Sequence, residues 1–390
     1  MSESRSTPDP SPARRTVENQ DPPLSATWLS PGVVLAAFAD TAVAFDMLTE
    51  TAQVLSPTAA WLCSAPGPEA GDELVDTIAR ESADPGIDAI AVVNDAVASL
   101  RDLGLLGRSE PYRPPPPPGP PGNPAGPGRH IGVTHAVGVH RVAFRSDDPG
   151  LVDLIDAALG DSIDEPATEF LDAADSGSGG VDLFAWDEWT FPSRDAMLVQ
   201  LPTVLNDHAA RSHGVLVLHA GTVVTPSGST IVLIGAADDG KSTLTAALIE
   251  AGCDYLGDES ITLGRDLVPY GYPKPLTLDA NSRAVLGLPS APFPHIGPES
   301  IRSDVRRLNG TRAPVDMVIA VAYRPGQPLV AQQLDPAGAL RELCSNVLNL
   351  ARADGAGLAA LCSLASNTPV WTLTHPGFEE AVPWILGAPA

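Results

Sequence analysis

The segment from Gly235 to Thr243 carries the residues best suited to chemistry in this chain. It reads GAADDGKST, and the spacing of Gly235, Gly240, Lys241 and Ser242 fits the pattern G-x-x-x-x-G-K-[ST]. In such a loop the backbone N–H groups and the start of the next helix surround a polyphosphate. The lysine contacts the β- and γ-phosphates, and the hydroxyl coordinates Mg²⁺. The segment therefore predicts an ATP and Mg²⁺ site formed by Gly235, Ala236, Ala237, Asp238, Asp239, Gly240, Lys241, Ser242 and Thr243.

Two carboxylates in this loop need an explanation, because the ligand is a polyanion. A phosphate-binding turn needs one residue at positive φ, and Asp238 stands at that position. Asp is one of the few residues besides Gly that tolerate left-handed geometry. We expect Asp238 to adopt it, and both Asp238 and Asp239 to point into solvent. Their charge predicts weaker nucleotide affinity than a glycine at this place would give, or stronger Mg²⁺ dependence.

A second pair of acids, Asp258 and Glu259, follows a short strand in the segment YLGDES. Phosphoryl transfer to a hydroxyl needs an anionic partner for the metal and an acceptor for the proton. If this strand lies beside the one that precedes the phosphate loop, the two acids reach the loop and supply both. The alternative is that they are solvated turn residues.

Composition limits the classes of function. The chain has 390 residues, 44% of them apolar, which predicts two or three domains with packed cores. Lys plus Arg number 23 against 48 Asp plus Glu, and the net charge of −25 argues against nucleic acid or an anionic membrane as a partner. No apolar run approaches the roughly 20 residues of a membrane span, and the N-terminus lacks the apolar core of a signal peptide, so we expect a cytoplasmic protein.

The four cysteines are scattered and form no C-x-x-C pair, and no histidine stands at metal-ligand spacing from them. This predicts reduced, buried thiols and argues against a disulfide framework or a zinc site.

Two segments are predicted to lack regular structure. Residues 1–27 are polar and Pro-rich, which is typical of a disordered tail. Residues 109–128 read SEPYRPPPPPGPPGNPAGPG, and this composition predicts an extended linker. A ligand for an aromatic-lined groove is the alternative. The chain is thus predicted to consist of two tethered modules, 28–108 and 129–390.

The first module reads as strands followed by helices. Two strand-like runs, GVVLAAFAD and AVAFDMLTETAQVLS, precede the helical segments SPTAAWLCSA, GDELVDTIARES and IDAIAVVNDAVASLRDLGLLG. Ser56 and Pro57 are a helix cap and a first helical residue.

The segments QVLSPTAAWL, DELVDTIA and LRDLGLLG together resemble the PqqD family of peptide chaperones, the recognition elements of ribosomally made, modified peptides. The resemblance implies an α+β, winged-helix-like domain. It also implies that a leader peptide adds a strand to the open sheet edge and packs against the third helix. Peptide-modifying enzymes are the other partners that the resemblance implies. A generic winged helix used for dimerisation or DNA binding is the alternative, but the module has no Lys between Leu29 and Arg108, which argues against DNA.

The second module is predicted to be an α/β domain. Strands Val215–His219 and Ile231–Ile234 precede the phosphate loop, and the helix Ser242–Glu250 follows it. Later segments predict a buried strand in VDMVIAVAYRP, a helix in DPAGALRELCSNVLNLARA, and a strand with a closing helix in TPVWTLTHPGFEEAVPWIL.

This module resembles the C-terminal domain of HPr kinase/phosphorylase and, more distantly, phosphoenolpyruvate carboxykinase. The likeness lies in the order of loop, helix, short strand and acids, with Lys241 and Asp258 bridged by STLTAALIEAGCDYLG, and in His219 of the segment LHAG. It implies that Asp258 is the catalytic base, that Asp258, Glu259 and Ser242 hold Mg²⁺, and that His219 lies beside the phosphates. A core role for His219 is the alternative.

One departure bears on the substrate. The glycine-rich EIRG-type signature of true HPr kinases is missing, and GYPKPLTLD stands in its region, so HPr itself is not the expected substrate. The chain is similar instead to HPr-kinase-related proteins that occur with PqqD-type chaperones.

Together these features predict an ATP-dependent kinase that phosphorylates a Ser or Thr hydroxyl of a peptide captured by the first module. Two alternatives stay open: a non-catalytic module in which nucleotide gates peptide delivery, and a kinase of a small hydroxyl metabolite. The sequence leaves the acceptor, reverse phosphorolysis and a homo-oligomeric state undecided.

Overall fold

The computed structural model describes residues 29–388 except 39–40, 50, 65–69, 85, 109–129, 161, 177–178, 186, 213–214, 273, 312 and 353. The predicted tail (1–27) and the predicted linker (109–128) lie outside the described residues. The chain divides into two compact units: Met1–Pro31 with Thr58–Ser109, and Gly32–Pro57 with Glu110–Ala390. The second unit thus combines residues 32–57 of the first predicted module with all of the second predicted module.

The first unit is built from helices. They are α1 (Pro57–Ser64, whose Pro57 belongs to the second unit), α2 (Ala70–Glu81) and α3 (Ala89–Asp102). Asp88 caps α3 by accepting a hydrogen bond from the Ala91 N–H, and Val93 and Leu100 are buried on its inner face. The order of strands before three helices is as predicted, although three strands form where the sequence shows two strand-like runs. The winged-helix assignment stays a prediction.

Strands β1 (Val33–Phe38), β2 (Thr41–Asp46) and β3 (Thr51–Leu55) form an antiparallel sheet that belongs to the second unit. Val43, Phe45 and Met47 share one hydrophobic core with residues from the 129–390 segment, among them Leu218 and Leu361. The strands and helices predicted to form one domain over 28–108 therefore fall in different units. The two strand-like runs of the sequence predicted the strands, but not the surface on which they pack.

A second sheet precedes the phosphate loop. Its strands are β4 (His130–Ile131), β5 (His135–Val137), β6 (His140–Ser146), β7 (Glu169–Asp175), β8 (Val181–Phe184) and β9 (Glu188–Phe191). They lie in the order β4-β6-β7-β8-β9, with β5 paired to β6, and the parallel pair β6–β7 is joined by α4 (Pro149–Leu159). The helix α5 (Arg194–Ala210) packs its apolar residues into the same core as Phe144 and Ile155.

The central sheet has the strand order β13-β11-β12-β18-β20-β19. The elements of this region are β10 (Leu216–Leu218), β11 (Gly221–Val224), β12 (Thr230–Ile234), α6 (Lys241–Glu250), β13 (Asp254–Gly257), β14 (Ile261–Leu263), β15 (Pro269–Tyr270), β16 (Leu276–Thr277), α7 (Ala280–Val285), β17 (His295–Ile296), β18 (Met317–Tyr323), β19 (Val330–Gln333), α8 (Pro336–Cys344), α9 (Asp354–Asn367), β20 (Val370–His375) and α10 (Phe378–Gly387). Strands β12, β18 and β20 are parallel, and β13 runs the same way because β11 is antiparallel to both β12 and β13. The carboxyl ends of β12, β13, β18 and β20 therefore lie at one edge of the sheet.

Most predicted elements of this region are confirmed, with one correction. The strand before the loop, the helix after it, the strand in VDMVIAVAYRP and the final strand and helix are all present. The helix predicted over DPAGALRELCSNVLNLARA instead ends at Cys344. The asparagines beyond it, Asn346 and Asn349, bond to backbone groups of other segments, which holds this stretch out of the helix.

All four cysteines are free, and Cys63, Cys253 and Cys362 are buried, as the sequence predicts. Burial raises the pKa of each of these three thiols to about 11. None of the helices in the described residues is long and apolar enough to cross a membrane.

Asn349 anchors the chain where it enters the central region. Its Oδ1 accepts from the Val217 N–H at 2.9 Å, and its Nδ2 donates to the carbonyls of Ser212 and Val215 at 3.1 and 2.9 Å. The side chain is 3% exposed, so water cannot replace these bonds.

We expect Asn349→Ala to lower the free energy of unfolding by about 3 kcal/mol, because three hydrogen bonds are lost and buried backbone groups stay unsatisfied. Urea unfolding followed by circular dichroism measures the change. The control is Asn367→Ala, whose exposed side chain donates to the Ser363 hydroxyl and which should change stability by no more than about 0.5 kcal/mol. Equal effects of the two variants would contradict this role of Asn349.

Candidate functional site

The phosphate loop connects the end of β12 to the start of α6. Gly235 and Gly240 have φ of 147° and 86°, and a Cβ built on Gly235 would lie 2.7 Å from the Val321 carbonyl oxygen. Only glycine fits these places without strain. Asp238 has φ of 66°, so its predicted left-handed conformation is confirmed.

Lys241 folds back over this loop. Its Nζ donates to the carbonyls of Gly235 and Ala236 at 2.8 Å each, and the residue is 7% exposed. Burial lowers the pKa of Lys241, and the Asp258 carboxylate is the strongest influence in the opposite direction. The ammonium is therefore held inside the loop, where a phosphate would lie.

The two carboxylates of the loop are placed differently. Asp238 is exposed, as predicted. The prediction that Asp239 points into solvent is wrong, since its side chain is only 15% exposed. It accepts from the Ala236 N–H at 3.1 Å and from Arg324 Nη1 at 2.8 Å. Asp239 thus closes the loop internally, and Arg324, from the end of β18, offsets its charge.

Asp258 follows the last residue of β13 and lies near the start of α6. It is 1% exposed, and neither carboxylate oxygen has a hydrogen-bond partner of normal geometry among the described residues. Burial raises the pKa of Asp258 above its ordinary value, and the neighbouring Glu259 adds to this. The Lys274 ammonium and the Ser242 hydroxyl are close enough to counteract the rise.

Glu259 is held by two partners that lie far from it in the sequence. Its Oε2 lies 3.0 Å from Lys274 Nζ and accepts from Asn206 Nδ2 at 2.8 Å. Burial acts to raise the pKa of Glu259, but the Lys274 ammonium and these hydrogen bonds outweigh it and lower the pKa to about 2. Glu259 is therefore ionised and fixed in orientation, with a backbone φ of 67°.

Lys274 is the functional candidate that the sequence analysis missed. Its side chain is fully buried, and its Nζ also donates to the Pro275 carbonyl at 3.3 Å. A signal was present, because the chain contains only two lysines, Lys241 and Lys274. Both lie beside the Asp258–Glu259 pair in the structure.

His219 is half-buried in the connection between β10 and β11. Its backbone N–H donates to the Asn346 carbonyl at 2.7 Å, and Asn346 Oδ1 accepts from the Gly235 N–H at 3.1 Å. Burial and the Lys241 ammonium lower the pKa of His219, while Glu259 acts against them, so the imidazole is neutral at pH 7.

A cleft of about 630 Å³ opens beside His219 and the phosphate loop. Its walls are the loop residues 235–237 and 239, the ends of β18 and β20, and residues 345–348 after α8. A cleft at the carboxyl ends of parallel strands is the usual ligand position in α/β sheets.

The structure brings most of the predicted site residues together. The Lys241 ammonium interacts electrostatically with His219, Asp258 and Glu259 at the edge of the central sheet, and the Ser242 hydroxyl lies close to Asp258. Thr243 is turned away from them, since its hydroxyl donates to the Ser282 hydroxyl at 2.9 Å. The arrangement offers a glycine cradle, a buried cation and an unpartnered buried carboxylate.

The sequence matches no protein-family model, and no curated protein matches it. Among solved structures, the HPr(Ser) kinase/phosphatase from Coxiella burnetii is similar with a TM-score of 0.27 and 14% identity, covering 44% of this chain and 92% of that chain. We therefore base the assignment of function on the residues of the site.

The low pKa of Glu259 predicts a pH dependence of stability. A carboxyl group with a pKa of about 2 in the folded state and about 4.5 in the unfolded state stabilises the fold above pH 4.5, and this contribution is lost as the pH falls toward 2. We expect the difference in melting temperature between the native chain and Glu259→Gln to shrink steadily from pH 5 to pH 3. The pH-dependent part corresponds to roughly 2–3 kcal/mol.

Lys274→Met is the matched variant, because it removes the ammonium that lowers the pKa. When Lys274→Met is compared with and without Glu259→Gln, most of the pH-dependent difference in melting temperature should be gone. A difference that stays constant between pH 5 and pH 3 would show that Glu259 does not have this low pKa.

Proposed function

We propose that the chain is an ATP-dependent, Mg²⁺-requiring phosphotransferase that phosphorylates a Ser or Thr hydroxyl of a peptide. The observation that carries the proposal is Asp258: a fully buried carboxylate whose oxygens lack a hydrogen-bond partner of normal geometry among the described residues, beside Lys241 and the start of α6. Such a group is costly to bury unless a ligand completes its surroundings.

The residues present fit Mg²⁺ and a nucleotide triphosphate. Gly235 and Gly240 leave room for phosphate against the backbone, and Lys241 supplies the cation. Ser242 and Asp258 would hold the ion, with Glu259 as the second carboxylate. In this proposal, Lys274 and Asn206 keep Glu259 ionised and correctly turned.

Bound Mg·ATP supplies the phosphoryl group, and the chain supplies positioning and a proton acceptor. Asp258 accepts the proton of the attacking hydroxyl, and its raised pKa makes it a stronger base than an exposed aspartate. Lys241 stabilises the negative charge on the transferring group. The neutral His219 borders the same space and can donate a hydrogen bond to a phosphate oxygen.

The proposed peptide site is an edge of the β1–β3 sheet. Among the described residues both edge strands, β1 and β3, pair only with β2. An extended peptide can add to such an edge through main-chain hydrogen bonds. We propose that a leader peptide of a ribosomally made precursor binds in this way.

Lys241→Ala should abolish the thermal stabilisation of the full-length chain by Mg·ATP, because it removes the cation of the phosphate loop. At a ligand concentration of 100 times Kd, binding stabilises a protein by about 2.7 kcal/mol, which differential scanning fluorimetry resolves. The control Arg101→Ala removes an exposed cation from α3 and should leave the stabilisation intact. Undiminished stabilisation of Lys241→Ala would refute the site.

Asp258→Asn separates nucleotide binding, measured by the same fluorimetry, from phosphoryl transfer, measured as ADP formation. The variant should keep nucleotide binding, while the rate of ADP formation falls roughly 100-fold or more, because the amide accepts no proton. A rate within twofold of the native chain would remove Asp258 from the mechanism. Nucleotide binding by the native chain without any transfer would favour nucleotide-gated peptide delivery instead.

Peptide capture is tested with precursor peptides encoded beside this gene, offered with and without their leader segment, and analysed by mass spectrometry for an added phosphoryl group. The Met47 N–H donates to the Gly32 carbonyl, so in the observed register the Leu35 amide on β1 and the Val54 amide on β3 face outward. Leu35→Pro and Val54→Pro therefore block one edge each without removing a bond within the sheet.

The variant that blocks the edge used by the leader should raise KM at least 10-fold for the leader-bearing peptide and leave ATP hydrolysis unchanged. If KM is unaltered in both variants, or is the same with and without the leader, strand addition is wrong.

A further inference from the structure

A second cluster of polar side chains lies at the amino-terminal end of β6 and β7. His140 is the first residue of β6, Glu169 is the first residue of β7, and His208 lies in the last turn of α5. One nitrogen or oxygen from each lies within 4.8 Å of the others. The phosphotransfer mechanism uses none of these residues.

The hydrogen bonds of His140 show that something positive must lie between it and Glu169. The Ser212 hydroxyl donates to the Ala209 carbonyl at 2.7 Å, so its oxygen can only accept from His140 Nε2, also at 2.7 Å. Nε2 therefore carries a proton, and in the neutral ring Nδ1 has a lone pair. That lone pair faces Glu169 Oε1 at 2.5 Å, an acceptor against an acceptor. A second proton on the ring or a metal ion must fill this place.

The other carboxylate oxygen faces the second histidine, on α5. Glu169 Oε2 lies 2.8 Å from His208 Nε2, and the two imidazole rings meet edge to face with centroids 4.9 Å apart. The His208 side chain is completely buried, while those of His140 and Glu169 are 15% and 20% exposed. The cluster is thus buried on one side and open to solvent on the other.

We propose that His140, Glu169 and His208 bind a Zn²⁺ ion, with water in the fourth position on the exposed side. Two imidazoles and one carboxylate are a known donor set of Zn²⁺ in proteins, whereas hard cations such as Mg²⁺ and Ca²⁺ prefer oxygen alone. The ligand atoms would be His140 Nδ1, Glu169 Oε1 and His208 Nε2. In a tetrahedral site with Zn–ligand distances of about 2.0–2.2 Å, ligand atoms lie about 3.4 Å apart, so His140 Nδ1 and Glu169 Oε1 would separate by roughly 1 Å from their present 2.5 Å.

The surroundings are also those of a metal site. Ser212, which is 4% exposed, receives the His140 Nε2 proton and so fixes the ring with Nδ1 toward the centre. An outer hydrogen bond of this kind sets the tautomer of a ligating histidine. The three ligands come from two strands and a helix, which are rigid supports.

The ion would position the helix that reaches the phosphotransfer site. Asn206, which donates to Glu259, stands two residues before His208 on α5, so the two side chains leave different faces of the same turn. Zinc at His208 would hold the end of α5 to β6 and β7 and thereby keep Asn206 in place. The proposed role is structural.

Metal content of the tag-free, full-length chain tests the proposal in the absence of nucleotide, so its outcome is independent of phosphotransfer. We expect one Zn²⁺ per chain by elemental analysis after dialysis, and visible absorption of a four-coordinate site when the metal-free chain is titrated with Co²⁺. His140→Gln and Glu169→Gln should each weaken Co²⁺ binding 100-fold or more. His140 and Glu169 are chosen because His208 is completely buried, and its replacement endangers folding.

The matched control is His135→Gln. His135 Nε2 lies 3.0 Å from Asp156 Oδ1, which makes it a second buried histidine–carboxylate pair in the same sheet, and it is not a member of the cluster. This variant should bind Co²⁺ like the native chain. Equal Co²⁺ affinity of the native chain and His140→Gln, or no Co²⁺ binding by the native chain, would overturn the proposal and leave a shared proton as the filling of the site.

Discussion

Two buried ammonium groups constrain the centre of this molecule. The chain contains only two lysines, and both are removed from water beside the same pair of acids. Burying a charge costs several kcal/mol unless opposite charges and hydrogen bonds surround it. Lys274 has Glu259 at 3.0 Å, and Lys241 has two carbonyls at 2.8 Å and the influence of Asp258. The positions of the acids, the glycine turn and the strand ends follow from this requirement.

The charges of the two acids are offset to different extents, and this difference gives the site its chemistry. Glu259 has a lysine and an amide at hydrogen-bond distance, so it is strongly acidic and stays charged. Asp258, next to it in the chain, has no such partner and a raised pKa. Two adjacent carboxylates are thus separated into a fixed anion and a potential base by their environments alone. Arg324 offsets the charge of Asp239, as Lys274 offsets the charge of Glu259. This allows a carboxylate to lie in a loop suited to phosphate.

Local sequence predicted the parts of the site that depend on local geometry. The strand, loop and helix around Gly235 and the left-handed Asp238 follow from spacing and backbone preference within a few residues. Partners distant in sequence could not be found in this way, because neither spacing nor periodicity indicates them: Arg324 lies 85 residues from Asp239, and Asn206 lies 53 residues before Glu259.

Local sequence also could not predict two larger features, the histidine–glutamate cluster and the packing of the β1–β3 sheet. His140, Glu169 and His208 come together only through the pairing of β6 with β7 and the packing of α5, so a search for short ligand spacings misses them. Likewise, the apolar run that contains β2 predicted a strand, but it could not show that this strand would pack with residues of the 129–390 segment.

The position of the β1–β3 sheet changes how peptide capture would work. A Pro-rich segment over 109–128 suggests that capture and phosphotransfer are connected by a tether, which would raise the local concentration of a bound peptide without fixing its direction. In the structure, Phe45 and Val43 are fully buried in a core that also holds Leu216, Leu218 and Val232 of the central region. A peptide strand added to this sheet would be aligned by the same packed core that positions β12 and the phosphate loop. The acceptor residue of the peptide would then be selected by how many residues separate it from the leader, since an extended chain advances about 3.3 Å per residue.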